Sequence, residues 1–154
     1  MGRYSSVLKC AEIRRLVDEK KYSKALDIVE QIDVNQIKVT TDLNAIAEVY
    51  VKAERFEEAK QVLLKVYEKF KTRRVIYQLV YVLIKIGTLD EAEDFYREYV
   101  LIDPDSSDGL ILLYQIEKAK GSSKSELILL LERMKNIDYM EEWAYELAKL
   151  YHKE

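Results

Sequence analysis

His152 is the one histidine and Cys10 the one cysteine in a chain of 154 residues. A histidine-based triad needs a base held in place by an orienting carboxylate. His152 sits two residues from Glu154 and reads as an exposed surface histidine. Cys10 could act as a nucleophile only beside a base in an electropositive setting. On the first amphipathic helix it reads instead as a small packed residue. A single cysteine excludes an intramolecular disulfide and a cysteine-based zinc site. The sequence has no phosphate-cradling glycine loop, no HExxH and no paired-carboxylate signature. Glu57-Glu58, Glu91-Glu93-Asp94 and Glu141-Glu142 fall in early helical turns, where the macrodipole favours acids. The expectation is a protein that is not an enzyme, with no catalytic residue, metal or cofactor.

What chemistry is left belongs to recognition. On one amphipathic segment, Arg74, Tyr77, Gln78, Tyr81 and Lys85 stand at i, i+3, i+4, i+7 and i+11. They make a second stripe beside the apolar face Ile76, Leu79, Val80 and Leu83. Two aromatics flanked by cations suit an extended peptide or a carboxylate. The competing reading is that Tyr77 and Tyr81 pack on neighbouring helices and bind nothing. Lys65, Lys69, Lys71, Arg73 and Arg74 form a basic cluster around one turn, where helix C-termini favour cations in any case.

These residues are positioned by a repeat. Tyr22-Ser-Lys-Ala25, Phe56-Glu-Glu-Ala59 and Leu89-Asp-Glu-Ala92 each open an amphipathic segment, with alanines 34 and 33 residues apart. A period near 34 built of helix pairs predicts a solenoid, in which each unit buries its core against its neighbours. The apolar periodicity predicts helices near 4–19, 22–33, 40–53, 56–70, 73–86, 88–102, 107–119, 123–136 and 140–153. Thr88–Glu91 and Ser123–Glu126 read as capping boxes. Gly87 and Gly121 end helices in a left-handed residue. Pro104 stops the sixth helix and pushes Asp103 out of the α region.

The pattern resembles the tetratricopeptide repeat family over almost the whole chain. The matching residues are Leu43, Ile46, Ala47 and Tyr50, then Phe56, Ala59, Leu63 and Val66, in the second repeat. In the third they are Ile76, Leu79, Val80 and Leu83, then Gly87, Leu89, Ala92, Tyr96, Tyr99 and Pro104. The first repeat is carried by Leu16, Tyr22, Ala25, Val29 and Ile32. The fourth has Leu110, Leu113, Gly121, Leu131 and Met134, with Leu127 where the small alanine belongs. Leu147, Ala148 and Tyr151 look like the first helix of a fifth. The small residues Ala47, Ala59, Ala92 and Ala148 let helix axes approach. The resemblance implies an all-α, right-handed α-solenoid of about four helix-pair repeats plus a C-terminal helix, in one domain over 1–154. It also places Tyr22, Tyr50, Tyr96, Tyr99 and Tyr151 in the core. The concave face would be lined by first helices. That puts Asn44, Glu48 and Lys52, then Arg74, Tyr77, Gln78, Tyr81 and Lys85, then Ile111 and Gln115, along a peptide-binding groove. Some family members clamp a C-terminal carboxylate. The positions here, among them Cys10, Arg14, Asn44, Ala45, Glu48, Arg74 and Gln78, do not reproduce that clamp.

Bulk properties narrow the partner. The net charge is −3, and about half of the residues are apolar. Residues 1–71 carry 14 Lys+Arg against 12 Asp+Glu, and residues 72–154 carry 11 against 16. Neither half is a basic nucleic-acid platform. A base-reading helical repeat would also need recurring base-reading pairs, and the groove positions follow no such code. No apolar run approaches the roughly 20 residues of a membrane span, and no signal-peptide stretch opens the chain. Met1-Gly2 with Ser6 fits the short myristoylation pattern, which recurs often by chance. The expected function is a cytoplasmic adaptor or scaffold binding a protein or peptide, without nucleic acid or membrane. A self-associating spacer, dimerising through 140–153, is the alternative. Leu147, Leu150 and Tyr151 are more apolar than a finished cap needs, which favours a chain continuing past Glu154.

Overall fold

The computed structural model describes residues 3–104 and 106–137. Among the described residues eight α-helices follow one another: α1 Arg3–Asp18, α2 Tyr22–Val29, α3 Thr40–Lys52, α4 Phe56–Lys69, α5 Arg73–Ile86, α6 Leu89–Ile102, α7 Ser107–Lys120 and α8 Lys124–Ile137. No strand occurs among the described residues. The helix expected over 140–153, with Ala148, Tyr151 and His152, lies outside the described residues.

One expected boundary is wrong. The second helix ends at Val29 rather than near residue 33. Asp33 takes a hydrogen bond from the Asn35 N–H at 3.1 Å and starts a 3₁₀ turn, Val34–Gln36. An Asx residue that bonds its own backbone two residues on competes with helix continuation. The ten-residue connection that results is tied to α4. Lys65 Nζ lies 3.5 Å from the Val34 carbonyl and 3.4 Å from Asn35 Oδ1, and Lys69 donates to the Lys38 carbonyl. Arg55, just before α4, reaches Glu30 at 2.6 Å and Glu58 at 2.7 Å.

Four inter-helix turns repeat one backbone conformation. Lys20, Glu54, Gly87 and Gly121 all have left-handed φ, at +59°, +59°, +100° and +80°. They stand 34, 33 and 34 residues apart. In each, the next residue donates its N–H to the carbonyl five positions back: Lys21 to Leu16, Arg55 to Tyr50, Thr88 to Leu83 and Ser122 to Glu117, at 2.8–3.1 Å. That is the six-to-one bond of the Schellman turn. The expected left-handed Gly87 and Gly121 are found. Lys20 and Glu54 do the same work without glycine.

Those turns explain a second correction. Thr88 caps nothing with its side chain; its hydroxyl lies 3.5 Å from the Leu83 carbonyl. Its backbone (φ −88°, ψ 74°) matches Lys21 and Arg55 at the same place in their turns, not the extended conformation a capping hydroxyl needs. Ser123 does accept from the Glu126 N–H at 3.2 Å. Ser106, extended, caps α7 through the Gly109 N–H at 3.0 Å. The sixth helix stops at Ile102, and Asp103 (φ −144°, ψ 76°) leaves the α region ahead of Pro104.

The chain divides into two compact units, Met1–Val82 and Leu83–Glu154, with the boundary inside α5. In the first, α1 packs on α2 and α3, and α3 on α2 and α4. Its core includes Ile13, Leu16, Leu43, Ile46, Leu63, Ile76 and Leu79, all nearly fully buried. In the second, α7 packs on α6 and α8. Leu110, Tyr114, Leu127, Leu130, Leu131 and Met134 form its core cluster. Ala25, Ala59 and Ala92 are completely buried and Ala47 nearly so, which bears out the close-approach positions. Leu127, standing where the alanine belongs, is buried as well. Of the tyrosines expected in the core, Tyr50 and Tyr99 are buried; Tyr22 and Tyr96 are only half-buried. Tyr114 joins them at 1% exposure.

Candidate functional site

The first unit gathers most of the sequence-derived groove residues. On α3, Asn44, Glu48 and Lys52 recur every four residues, which keeps them on one side of the helix. Glu48 is the centre. It accepts a hydrogen bond from the Tyr22 hydroxyl at 2.8 Å, and the Arg74 guanidinium lies 3.9 Å away. Tyr22 begins α2 and Arg74 lies in the first turn of α5, so α2, α3 and α5 meet around one carboxylate. That hydrogen bond, aided by desolvation and the Glu48 charge, raises the Tyr22 phenol above its usual 10.0. Lys52 places its ammonium 5.6 Å from the centre of the Tyr22 ring, within cation–π range. Glu48 keeps 28% of its side chain exposed and Arg74 keeps 69%. This pairing is worth little by itself.

On α5 the residues Val75, Ile76, Leu79, Val80, Val82 and Leu83 are buried. Of the second stripe, Arg74 and Lys85 are exposed, Tyr77 and Gln78 are half-buried, and Tyr81 is 36% exposed. The Tyr81 ring meets Phe56, the first residue of α4, edge to face, with centroids 6.4 Å apart and planes at 70°. Such a pair fixes ring orientation. One repeat earlier, Tyr22 meets Glu48 in the same register: the residue that opens a second helix touches the expected groove position of the next first helix. Sequence reasoning placed Tyr22 and Phe56 in the core and missed this role. The signal was present in the near-equal spacing of the two pairs, which differs by one residue. Lys85, Ile111 and Gln115 lie in the second unit, the latter two half-buried on α7.

Nearby, Arg14 Nε stands 3.0 Å from Asp42 Oδ1, a buried oxygen that takes no hydrogen bond. Cys10 is buried at 3% exposure, as expected of a packed residue. Burial first, then the Asp42 charge, pushes its thiol above the usual 9.0, against the weaker pull of Arg14. A raised thiol is a poor nucleophile. The basic cluster is largely occupied: Lys65 and Lys69 hold the α2–α3 connection, and Lys71 sits 5.3 Å over the Tyr67 ring. Among the described residues no group of three metal-ligating side chains is found, and no helix is long and apolar enough to cross a membrane.

Comparison with known proteins adds a family match over part of the chain, and a fold. The tetratricopeptide repeat model matches residues 43–68 and 74–106. No curated protein matches by sequence. Among solved structures, MamA 41-end from Desulfovibrio magneticus RS-1 superposes with a TM-score of 0.73 at 15% identity, covering 99% of this chain and 86% of that one. A tetratricopeptide repeat protein from Parabacteroides merdae superposes with a TM-score of 0.77 at 16% identity, over 95% of this chain and 57% of that one. At such identities the likeness concerns fold: an all-α helical-repeat solenoid.

Proposed function

We propose that this chain, a tetratricopeptide-repeat protein with repeats at residues 43–68 and 74–106, is a protein-interaction module in a cytoplasmic setting. It takes an extended peptide segment along the first-helix faces of α3 and α5. The observation that carries the reading is the cluster around Glu48. Side chains from α2, α3 and α5 converge there, yet Arg74 keeps accessible surface beside it, and Tyr81 keeps some further along α5. An accessible arginine and tyrosine on a rigid helix are the residue types that dominate binding energy at interfaces. Glu48 and Arg74 would align a peptide by its own charges, while Tyr77 and Tyr81 supply contact area. Asn44, Gln78 and Lys52 offer hydrogen bonds to an extended backbone.

The test is affinity capture with the whole chain. Tyr77→Ala with Tyr81→Ala should remove bound partners at unchanged helical content, since truncating a hot spot costs about 2 kcal/mol or more. Arg74→Glu should weaken capture of acidic partners, and added salt should mimic it. Glu68→Ala, on the exposed side of α4, should change nothing. A folded double variant that captures the wild-type partners would refute the assignment. An unfolded one would show the two tyrosines to be packing residues.

A further inference from the structure

The second helix of the first repeat is cut short, and a polar pocket stands where its last turn would be. Its counterparts α4 and α6 run 14 residues each, whereas α2 runs 8. At their length α2 would end on Asn35. Instead Val34 and Asn35 lie in the 3₁₀ turn. With Tyr50 from α3 and Gln61, Val62 and Lys65 from α4 they line a pocket of about 180 Å³. Glu58, one turn before Gln61, completes it. All of these residues belong to the first unit.

Tyr50 is the residue that packing does not explain. Leu16 in the first repeat and Leu83 in the third hold the same place in their turns, and both are buried. A leucine suffices there; the tyrosine adds a hydroxyl. Tyr50 is only 7% exposed, and its hydroxyl has no hydrogen-bond partner among the described residues. Buried phenols ordinarily find one. The oxygen is not sealed in, and the pocket is what it opens on.

The two charges of the pocket are met unequally. Glu58 receives Nε and Nη2 of Arg55, both at 2.7 Å, as a bidentate pair. Lys65 Nζ meets only neutral oxygens among the described residues, the Val34 carbonyl and Asn35 Oδ1, at 3.5 and 3.4 Å. Charge-assisted bonds run to about 2.7–2.9 Å. The charge still to be met is therefore positive. The Tyr50 hydroxyl and the Asn35 and Gln61 amides add neutral donors around it. One cation balances one negative charge, which a carboxylate carries and a phosphate exceeds. At about 30 Å³ for each water-sized group, the volume holds about six non-hydrogen atoms. We propose that this pocket binds a short-chain monocarboxylate. Its carboxylate rests on Lys65 and the Tyr50 hydroxyl, and its aliphatic end on Val34 and Val62. A free acid and the acidic side chain of a protein offer the same chemistry. The site is separate from the groove on α3 and α5 and does not depend on it.

The experiment is a heteronuclear NMR titration of the full chain with sodium butyrate, against sodium chloride at equal ionic strength. The Asn35 and Gln61 side-chain amides should shift and saturate with butyrate and not with chloride. Lys65→Met keeps the stem without the charge and should weaken binding at least about tenfold. Tyr50→Phe removes one oxygen alone and should weaken it about fivefold. That second variant decides the matter if Lys65→Met loosens the 3₁₀ turn. Lys24→Met, on the exposed side of α2, should leave the shifts as they are, and so should the groove variant Arg74→Glu. A failure of the groove and a failure of this site are thus read separately. Glutamate blocked at both ends is the second probe, its one carboxylate being the side chain. Shifts with it but not with butyrate assign the site to an acidic side chain of a protein; the reverse assigns it to a free acid; the carboxylate site stands in both cases. Shifts that chloride reproduces, that fall outside the pocket, or that Lys65→Met and Tyr50→Phe both leave intact overturn the proposal. So does the absence of any shift with either probe.

Discussion

Glu54 and Gly87 occupy equivalent left-handed turns with opposite residue types, and exchanging those types should move stability in opposite directions. A side chain held at left-handed φ costs about 1–2 kcal/mol relative to glycine. Glycine returns about 0.5–1 kcal/mol of that through the greater freedom of its unfolded chain. Glu54→Gly should therefore stabilise by about 0.5–1 kcal/mol. A Cβ built on Gly87 meets no atom within 4 Å. The cost of Gly87→Ala is thus conformational alone, and should be about 0.5–1 kcal/mol of destabilisation. In urea, with a slope of about 2 kcal/mol per molar, each change moves the midpoint by roughly 0.3–0.5 M. The slope should stay the same, because neither substitution alters the surface buried. Lys20→Gly should behave like Glu54→Gly. A lower midpoint for Glu54→Gly, or no shift for Gly87→Ala, would show that these turns are not held by the left-handed residue, and the equivalence of the four turns would fail.

Other consequences of the packing are open to the same measurement. Ala92→Leu should destabilise by about 1–3 kcal/mol through overpacking, since the position is completely buried. Gly109→Ala should also destabilise, despite alanine's better helix propensity, because its Cβ would lie 3.2 Å from Ser106 Oγ and 3.3 Å from a Tyr99 ring carbon. Tyr99 is only 1% exposed and has nowhere to go, so a stabilising result would mean that the α6–α7 contact is looser than described. Raising the pH should weaken the fold. Burial raises the Tyr50 and Tyr96 phenols above 10.0 and the Cys10 thiol above 9.0, so the folded chain holds protons that the unfolded chain releases. Stability is then full below about pH 9 and falls as the pH passes through and above those usual values. Tyr50→Phe with Tyr96→Phe should shrink the alkaline loss; an unchanged loss would place its origin elsewhere.

Much of the fold was legible because the repeat writes it redundantly. Ala25, Ala59 and Ala92 mark close contacts, while Gly87, Gly121 and Pro104 mark turns; all five helix starts from α3 to α7 fell within a residue of expectation. The end of α2 was missed because Asp33 and Asn35 act through a local side-chain bond that apolar periodicity does not see. Thr88 looked like a cap because its residue type fits one. Its backbone, fixed by the preceding Schellman turn, does not. Lys20 and Glu54 escaped notice since nothing in a lysine or glutamate announces positive φ; only their register with the glycines does. The residues proposed for the groove were legible as a stripe, but their mutual arrangement was not. The reach of the Tyr22 hydroxyl to Glu48, and of the Phe56 ring to Tyr81, depends on how helices of adjacent repeats meet. A one-dimensional pattern carries no such distance.

The four left-handed turns also govern how this chain can change length. A duplication or deletion that runs from one of these residues to its counterpart, such as Glu54 to Gly87, rejoins two ends of the same backbone conformation and needs no new junction. A break elsewhere leaves a helix face out of phase with its neighbour. Whole modules of 33 or 34 residues should therefore be added or removed without a new junction, and an insertion that shifts that phase should destabilise the fold.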